Sequence, residues 1–188
     1  MAGEVFTFLV GGKAGEGVKK TGSVAAGLFS GMGRHVFLMD DYQSVIKGGH
    51  NFTVVSTASR PVTSHYMKAD LVVALDKRSY ERHAGDVAQD GVLVYNSDTI
   101  KDVEGVGLPL STEARKYPNP DLRLGIGAVA VLAASIGLDK DSLRKHIEKE
   151  YRRDVENNVA YASTIYEQAV TRIGGRFSLT GGDRKRTI

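Results

Sequence analysis

Apolar residues along this chain fall into short runs separated by glycine and polar turns. The spacing of those runs changes about two thirds of the way through. Val5–Val10 (VFTFLV) is short, apolar and rich in β-formers, the pattern of a strand buried on both faces. Gly11–Gly17 (GGKAGEG) reads as a tight loop. Val18–Gly31 then carries Val18, Val24, Ala25, Leu28 and Phe29 close to helical spacing, and Gly33 is placed to end that helix as a C′ glycine. His35–Met39 predicts a second strand. Strand, glycine loop, helix and strand together predict a βαβ unit with a right-handed crossover. The polar stretch Asp40–Asn51 follows as a loop. Further strands are predicted over Phe52–Thr57, Leu71–Leu75, Val92–Tyr95 and Val106–Leu110, with Pro109 pushing the last to a sheet edge. Asp76 is positioned to cap a short helix over Lys77–His83.

The final third is helical in pattern. Gly125–Gly137 has no polar face, so a helix there must be buried on most sides. Leu143, Ile147, Tyr151, Val155 and Val159 recur every four residues, and Ala162, Tyr166, Ala169 and Ile173 continue the stripe. This predicts one long amphipathic helix, or two with a break near Asp154–Asn158. Residues 1–175 read as a single domain and residues 176–188 as a tail without periodicity that frays or docks on a partner. The class is α/β: one three-layer domain with a mostly parallel, Rossmann-like sheet, helices on both faces and a helical C-terminal region.

Composition narrows the function. At 188 residues, 41% apolar and 25% charged, the chain is long enough to bury a core without disulfides or metal. It has no cysteine, which excludes a Cys nucleophile, a thiolate zinc site and a Cys-ligated iron–sulfur cluster within the chain, and fits a cytoplasmic protein. Glu4 and Gly11–Gly12 interrupt any signal peptide. The longest nearly apolar run, Ile126–Leu138, is far short of the about 20 residues of a spanning helix, so no membrane association is expected. A net charge of +3 gives no strong reason to expect nucleic acid. The basic-looking segment Lys140–Asp154 holds six Lys/Arg against four Asp/Glu, as a solvated helix face does. The five histidines have no metal-ligand spacing, and no G-x-S-x-G elbow is present.

Glycine is the compositional anomaly, at 22 residues, many of them clustered between apolar runs. Two clusters carry candidate chemistry. In the first, Gly11, Gly12, Lys13, Gly15 and Gly17 lie between a strand and a helix, where backbone N–H groups and the positive helix end can cradle an anion. Lys19 and Lys20 add charge there. The dinucleotide fingerprint G-x-G-x-x-G fails in every register, and Val18 stands where a P-loop would place its lysine. Sharp turning and close helix packing explain the same glycines without a ligand. In the second cluster, Tyr42–Asn51 (YQSVIKGGHN), Lys47, Gly48, Gly49 and His50 suggest a flexible, cationic loop. A plain solvated connection is the alternative there. Both clusters are expected at the carboxyl ends of strands, the edge where open α/β sheets bind ligands.

With these two loops the sequence resembles the gamma subunit, or gamma domain, of the 2-oxoacid:ferredoxin oxidoreductases, which include the pyruvate, 2-oxoglutarate and 2-oxoisovalerate enzymes. Leu71–Leu75 entering a helix, Leu124–Ala128 (LGIGA) and Asn158 add weaker matches. Lys47 departs from the arginine that many members carry, and lysine binds as a point charge without bidentate geometry. The resemblance implies a complex that oxidatively decarboxylates a 2-oxoacid to an acyl-CoA and passes electrons to ferredoxin. It implies alpha, beta and delta partners that carry the thiamine diphosphate and iron–sulfur clusters. This chain would be an accessory subunit, inactive alone and without a catalytic residue or tightly bound cofactor of its own. It would supply assembly surface and part of a coenzyme A site at the interface. Homodimerisation of the isolated chain stays open. Two other function classes stand beside this one: a standalone nucleotide- or dinucleotide-binding module, and a purely structural interaction protein.

Overall fold

The computed structural model describes residues 5–42 and 49–182. Among these, six strands form one sheet in the order β2-β3-β1-β4-β5-β6. The strands are β1 (Phe6–Lys13), β2 (His35–Tyr42), β3 (His50–Ala58), β4 (Ala69–Ala74), β5 (Val87–Asn96) and β6 (Val106–Leu108). β1 pairs in parallel with β4, β4 with β5, and β5 with β6, while β3 runs antiparallel to both β1 and β2. The sheet is therefore mixed and mostly parallel, with β3 the reversed strand.

The helices are α1 (Val18–Gly31), α2 (Lys77–His83), α3 (Leu110–Ala114), α4 (Pro120–Ser135), α5 (Lys140–Glu150) and α6 (Val155–Ile173). Strand periodicity sorts the core into two layers. Phe8, Val10, Leu71, Val73 and Val94 face the main cluster with α1, α4 and α6, while Leu9, Val54, Val72 and Leu93 face a smaller one under α2. α4 is buried almost all round, as its lack of a polar face requires.

Local signals fix several boundaries. Asp76 accepts a hydrogen bond from the Ser79 N–H at 2.9 Å and caps α2. Gly33 takes φ 75° just after α1, where a side chain would be strained. The helical break falls at residues 151–154, where Asp154 adopts a left-handed conformation, and Asn158 lies inside α6.

Two expectations are corrected. β1, α1 and β2 do form a strand–helix–strand unit, but β2 does not lie beside β1, because β3 occupies the slot between them. Only a short connection joins β2 to β3. It is too short for a crossover, so β3 must turn back antiparallel and pair on both sides. The second correction concerns the tail: residues 176–182 pack on the body of the chain. Phe177 meets Phe6 edge-on at 5.1 Å, and its N–H donates to the Ser135 carbonyl at 2.9 Å. Buried Arg34 holds the same segment by donating to the Thr180 carbonyl at 2.5 Å and to Thr57.

Candidate functional site

The C-terminal end of β1, the start of β3 and the N-termini of α1, α2, α4 and α6 meet at one rim. Lys13 pairs with His50 in the β1–β3 register, and the Ala14 N–H donates to the Gly49 carbonyl at 3.3 Å. The two glycine clusters are thus neighbours. Lys47 and Gly48 lie outside the described residues.

Their roles differ from the sequence expectation. Gly11 and Gly12 belong to β1 and are buried. Gly11 is required because α2 approaches so closely that an added Cβ would lie 2.9 Å from the Ser79 Cβ. Gly12 leaves room for the Glu16 carboxylate, whose Oε2 would lie 2.6 Å from an added Cβ. His50 is not part of a cationic loop. It is 2% exposed, opens β3, and its Nε2 lies 2.9 Å from the Nε2 of buried His83. Burial, reinforced by His83 and Arg82, pushes the His50 pKa down to about 4, so its ring is neutral. His83 in turn meets Asp86 at 2.8 Å, and Phe52 packs against both rings.

The exposed part of the rim is built from Lys13, Gly15, Gly17 and the first turn of α1. Gly15 and Gly17 take φ of 100° and 77°, which L side chains rarely adopt. Gly17 also sits where an added Cβ would press on the Leu122 carbonyl at 3.3 Å. α1 has no side-chain N-cap and no acidic residue in its first turn, which instead carries Lys19 and Lys20. Cations at the positive end of a helix oppose its dipole. A local rule broken in this way is expected where a ligand supplies the missing charge. Beside it lies a cavity of about 450 Å³ whose lining includes Lys13, Lys19, Lys20, Tyr42, Asn51 and Leu122. Tyr42 and Leu122 are exposed apolar surface there, and Lys19 Nζ sits 5.5 Å from the Tyr42 ring centroid. Asn51 Oδ1 is buried without a hydrogen-bond partner among the described residues. Lys20 is shared with Glu150, at 3.3 Å.

Glu16 is the residue that sequence reasoning missed. Its carboxylate folds back into the glycine turn, is 7% exposed, and accepts the Lys13 N–H at 2.8 Å. Lys13 Nζ lies 3.7 Å away and is itself 55% exposed. Burial is the main cause that raises the Glu16 pKa to about 7, with Asp76 and Asp121 adding to it. An acid inside a glycine loop expected to bind anions was the signal available in the sequence. The Lys13, Ala14 and Glu16 amides are already engaged, so an incoming anion is left Gly15, Gly17 and the start of α1. Because the folded pKa exceeds that of the unfolded chain, ionised Glu16 opposes folding at high pH. Glu16→Gln is therefore expected to melt like the parent near pH 5 and to be more stable at pH 8, by on the order of 2 kcal/mol. Thermal unfolding across that range checks this, and parallel curves would refute it.

A second polar cluster braces the rim from below. Arg123 in α4 is 3% exposed, donates to Asn158 and Asp154, and stacks over the Tyr117 ring at 5.4 Å. Among the described residues no group of His, Asp and Glu is arranged to hold a metal ion, and no helix is long and apolar enough to cross a membrane.

A family model described as pyruvate ferredoxin/flavodoxin oxidoreductase matches residues 7–168. The 2-oxoglutarate synthase subunit KorC of Archaeoglobus fulgidus is 25% identical over 154 residues, 81% of this chain and 82% of KorC. The ketoisovalerate oxidoreductase subunit VorA of Methanothermobacter thermautotrophicus is 28% identical over 145 residues, 74% of this chain but 30% of the longer VorA. The fold matches the gamma subunit of a keto/oxoacid ferredoxin oxidoreductase from Geobacter sulfurreducens, with TM-score 0.71 and 20% identity, over 89% of this chain and 98% of that one. It also matches the 2-oxoglutarate:ferredoxin oxidoreductase of Magnetococcus marinus, solved with 2-oxoglutarate, coenzyme A and succinyl-CoA bound. There the TM-score is 0.78 and the identity 18%, over 96% of this chain and 34% of that one.

Proposed function

This chain belongs to the pyruvate ferredoxin/flavodoxin oxidoreductase family, and from that premise we propose that it is the gamma-type accessory subunit of a 2-oxoacid:ferredoxin oxidoreductase. It docks with alpha, beta and delta chains in an assembly that converts a 2-oxoacid to an acyl-CoA and carbon dioxide, with ferredoxin taking the electrons. Thiamine diphosphate and the iron–sulfur clusters belong to those partners. The present chain has no cysteine to ligate a cluster.

Its own part in the chemistry is to bind and orient coenzyme A. The observation that carries this reading is the cavity of about 450 Å³ in which three lysines meet an α1 N-terminus without acidic or capping side chains. The phosphates of coenzyme A lie against Lys13, Lys19, Lys20 and the amides of Gly15, Gly17 and the first turn of α1. Tyr42 and Leu122 offer apolar surface to the rest of the nucleotide. Neutral His50 and buried Gly11 and Gly12 shape the rim from behind and do not touch the ligand.

Lys13→Ala in the assembled complex should raise the KM for coenzyme A roughly three- to tenfold, the loss of one partly exposed charge-assisted contact. The KM for the 2-oxoacid should stay unchanged. An unaltered KM for coenzyme A would overturn the ligand assignment. Failure to form a stable complex on co-expression with the cognate alpha and beta chains would overturn the assembly.

A further inference from the structure

Lys13 lines two cavities. One is the lysine-rich cavity assigned above to the anion, and the other, of about 430 Å³, is lined by Glu16, Asn119, Asp121 and Leu122 among others. Lys13 thus borders both, and its ammonium lies 3.7 Å from the Glu16 carboxylate. The charged groups facing Glu16 are Lys13 from the end of β1, Asp76 from the start of α2 and Asp121 from the first turn of α4. The same space beside Gly12 that holds the Glu16 carboxylate is bordered by the apolar side chains of Leu75 and Val18. Of these neighbours only Lys13 is cationic.

From this geometry we propose that Lys13 is a counter-ion shared between Glu16 and the bound phosphate, so that anion binding at this rim is coupled to proton uptake by Glu16. The inference rests on the anion-site reading above and adds its regulation. When the phosphate draws the ammonium toward the lysine-rich cavity, the Glu16 carboxylate loses its compensating charge. It stays enclosed, faces Asp76 and Asp121, and gains a new anion nearby. A proton from solvent neutralises it, and the resulting carboxylic acid keeps its carbonyl oxygen for the Lys13 N–H. Burial already holds this carboxyl near neutrality, with a pKa of about 7, so a modest further rise is read out in the physiological range.

The sign follows from linkage. A group that binds its proton more tightly in the complex than in the free protein makes binding stronger at low pH. Affinity then falls as pH rises through 7. If the anion raises the carboxyl pKa by about one, binding weakens about fivefold between pH 6 and 8. The phosphate of coenzyme A titrates in the same range, so the readout is the difference between the parent and Glu16→Gln, which keeps the acceptor for the Lys13 N–H but cannot ionise.

The experiment measures the Kd of coenzyme A for the assembled complex from pH 6 to 8, with parent, Glu16→Gln and Lys13→Ala chains. The parent should lose about threefold to tenfold in affinity at pH 8 relative to Glu16→Gln, with the two close at pH 6. Lys13→Ala should bind more weakly at every pH and show a shallower loss of affinity with pH than the parent, closer to Glu16→Gln, because its Glu16 has no ammonium left to lose and feels only the direct repulsion of the anion. If Lys13→Ala weakens binding but parent and Glu16→Gln have parallel profiles, the coupling is wrong and the anion site stands. If Lys13→Ala binds as the parent does, the anion site is wrong and the coupling falls with it.

Discussion

Replacing Gly125 by valine should cost the fold about 3 kcal/mol or more, the upper end for overpacking a core position. A glycine in a helix interior is itself unfavourable by about 1 kcal/mol against alanine, so its presence in α4 needs a reason. The reason is contact with the rim. An added Cβ would collide with the Thr21 hydroxyl of α1 and lie 3.0 Å from the main-chain oxygens of Glu16 and Gly17. The Gly125 N–H also donates to the Glu16 carbonyl at 3.0 Å. Backbone cannot move aside as a flexible side chain does. Valine must therefore push α4 from α1 or open the glycine turn. At about 2–4 °C per kcal/mol for a chain this size, a Tm fall of about 6 °C or more is expected by circular dichroism. Gly125→Ala should fall between parent and valine. A valine variant melting with the parent would show that α4 does not brace the turn as closely as described.

Arg123→Met should destabilise by about 3 kcal/mol, again visible as a lowered Tm. The guanidinium is buried against Tyr117 and donates to Asn158, itself buried, and to Asp154. Methionine keeps much of the volume and removes the donors, leaving the Asn158 oxygen enclosed without its partner. Asp154 is part exposed and can rehydrate, which places the loss at the low end for a broken buried pair. Arg123→Lys should recover only part of the stability, because an ammonium lacks the planar fork that reaches both acceptors. An Arg123→Met protein as stable as the parent would mean that the cluster contributes nothing to holding α4 and α6 together.

Much of the scaffold was legible where the signal is local. Val18–Gly31 and Lys77–His83 are helices with the predicted bounds, because Gly33 and Asp76 are end signals that act within a turn. The start of α4 was not read: the apolar pattern drew attention to Gly125 onward, whereas the helix begins five residues earlier, with Pro120 at its first position. β5 begins at Val87, ahead of the apolar run at Val92, and the polar Gln89 and Asp90 fall where its register with β4 shifts between Val87 and Val92, an irregularity that apolar runs do not announce. The slot taken by β3 was not legible, because it depends on pairing between distant segments. The candidate site divides the same way. Its place at the rim followed from two glycine clusters. The neutral His50 did not, because its partner His83 is 33 residues away in sequence. Nor did the inward fold of Glu16, which only the three-dimensional turn reveals.

The reversed strand has an evolutionary consequence. In a sheet whose members all point one way, each functional edge is reached by a return helix, and altering the edge disturbs the packing behind it. Here β3 starts at Lys13's side and finishes at the far end, so its reversed direction alone sets Gly49 and His50 beside the β1–α1 bend. That edge is thus set by strand pairing and not by a helix packed behind it. Relatives can therefore diverge in what they hold at this edge while inheriting the same interior.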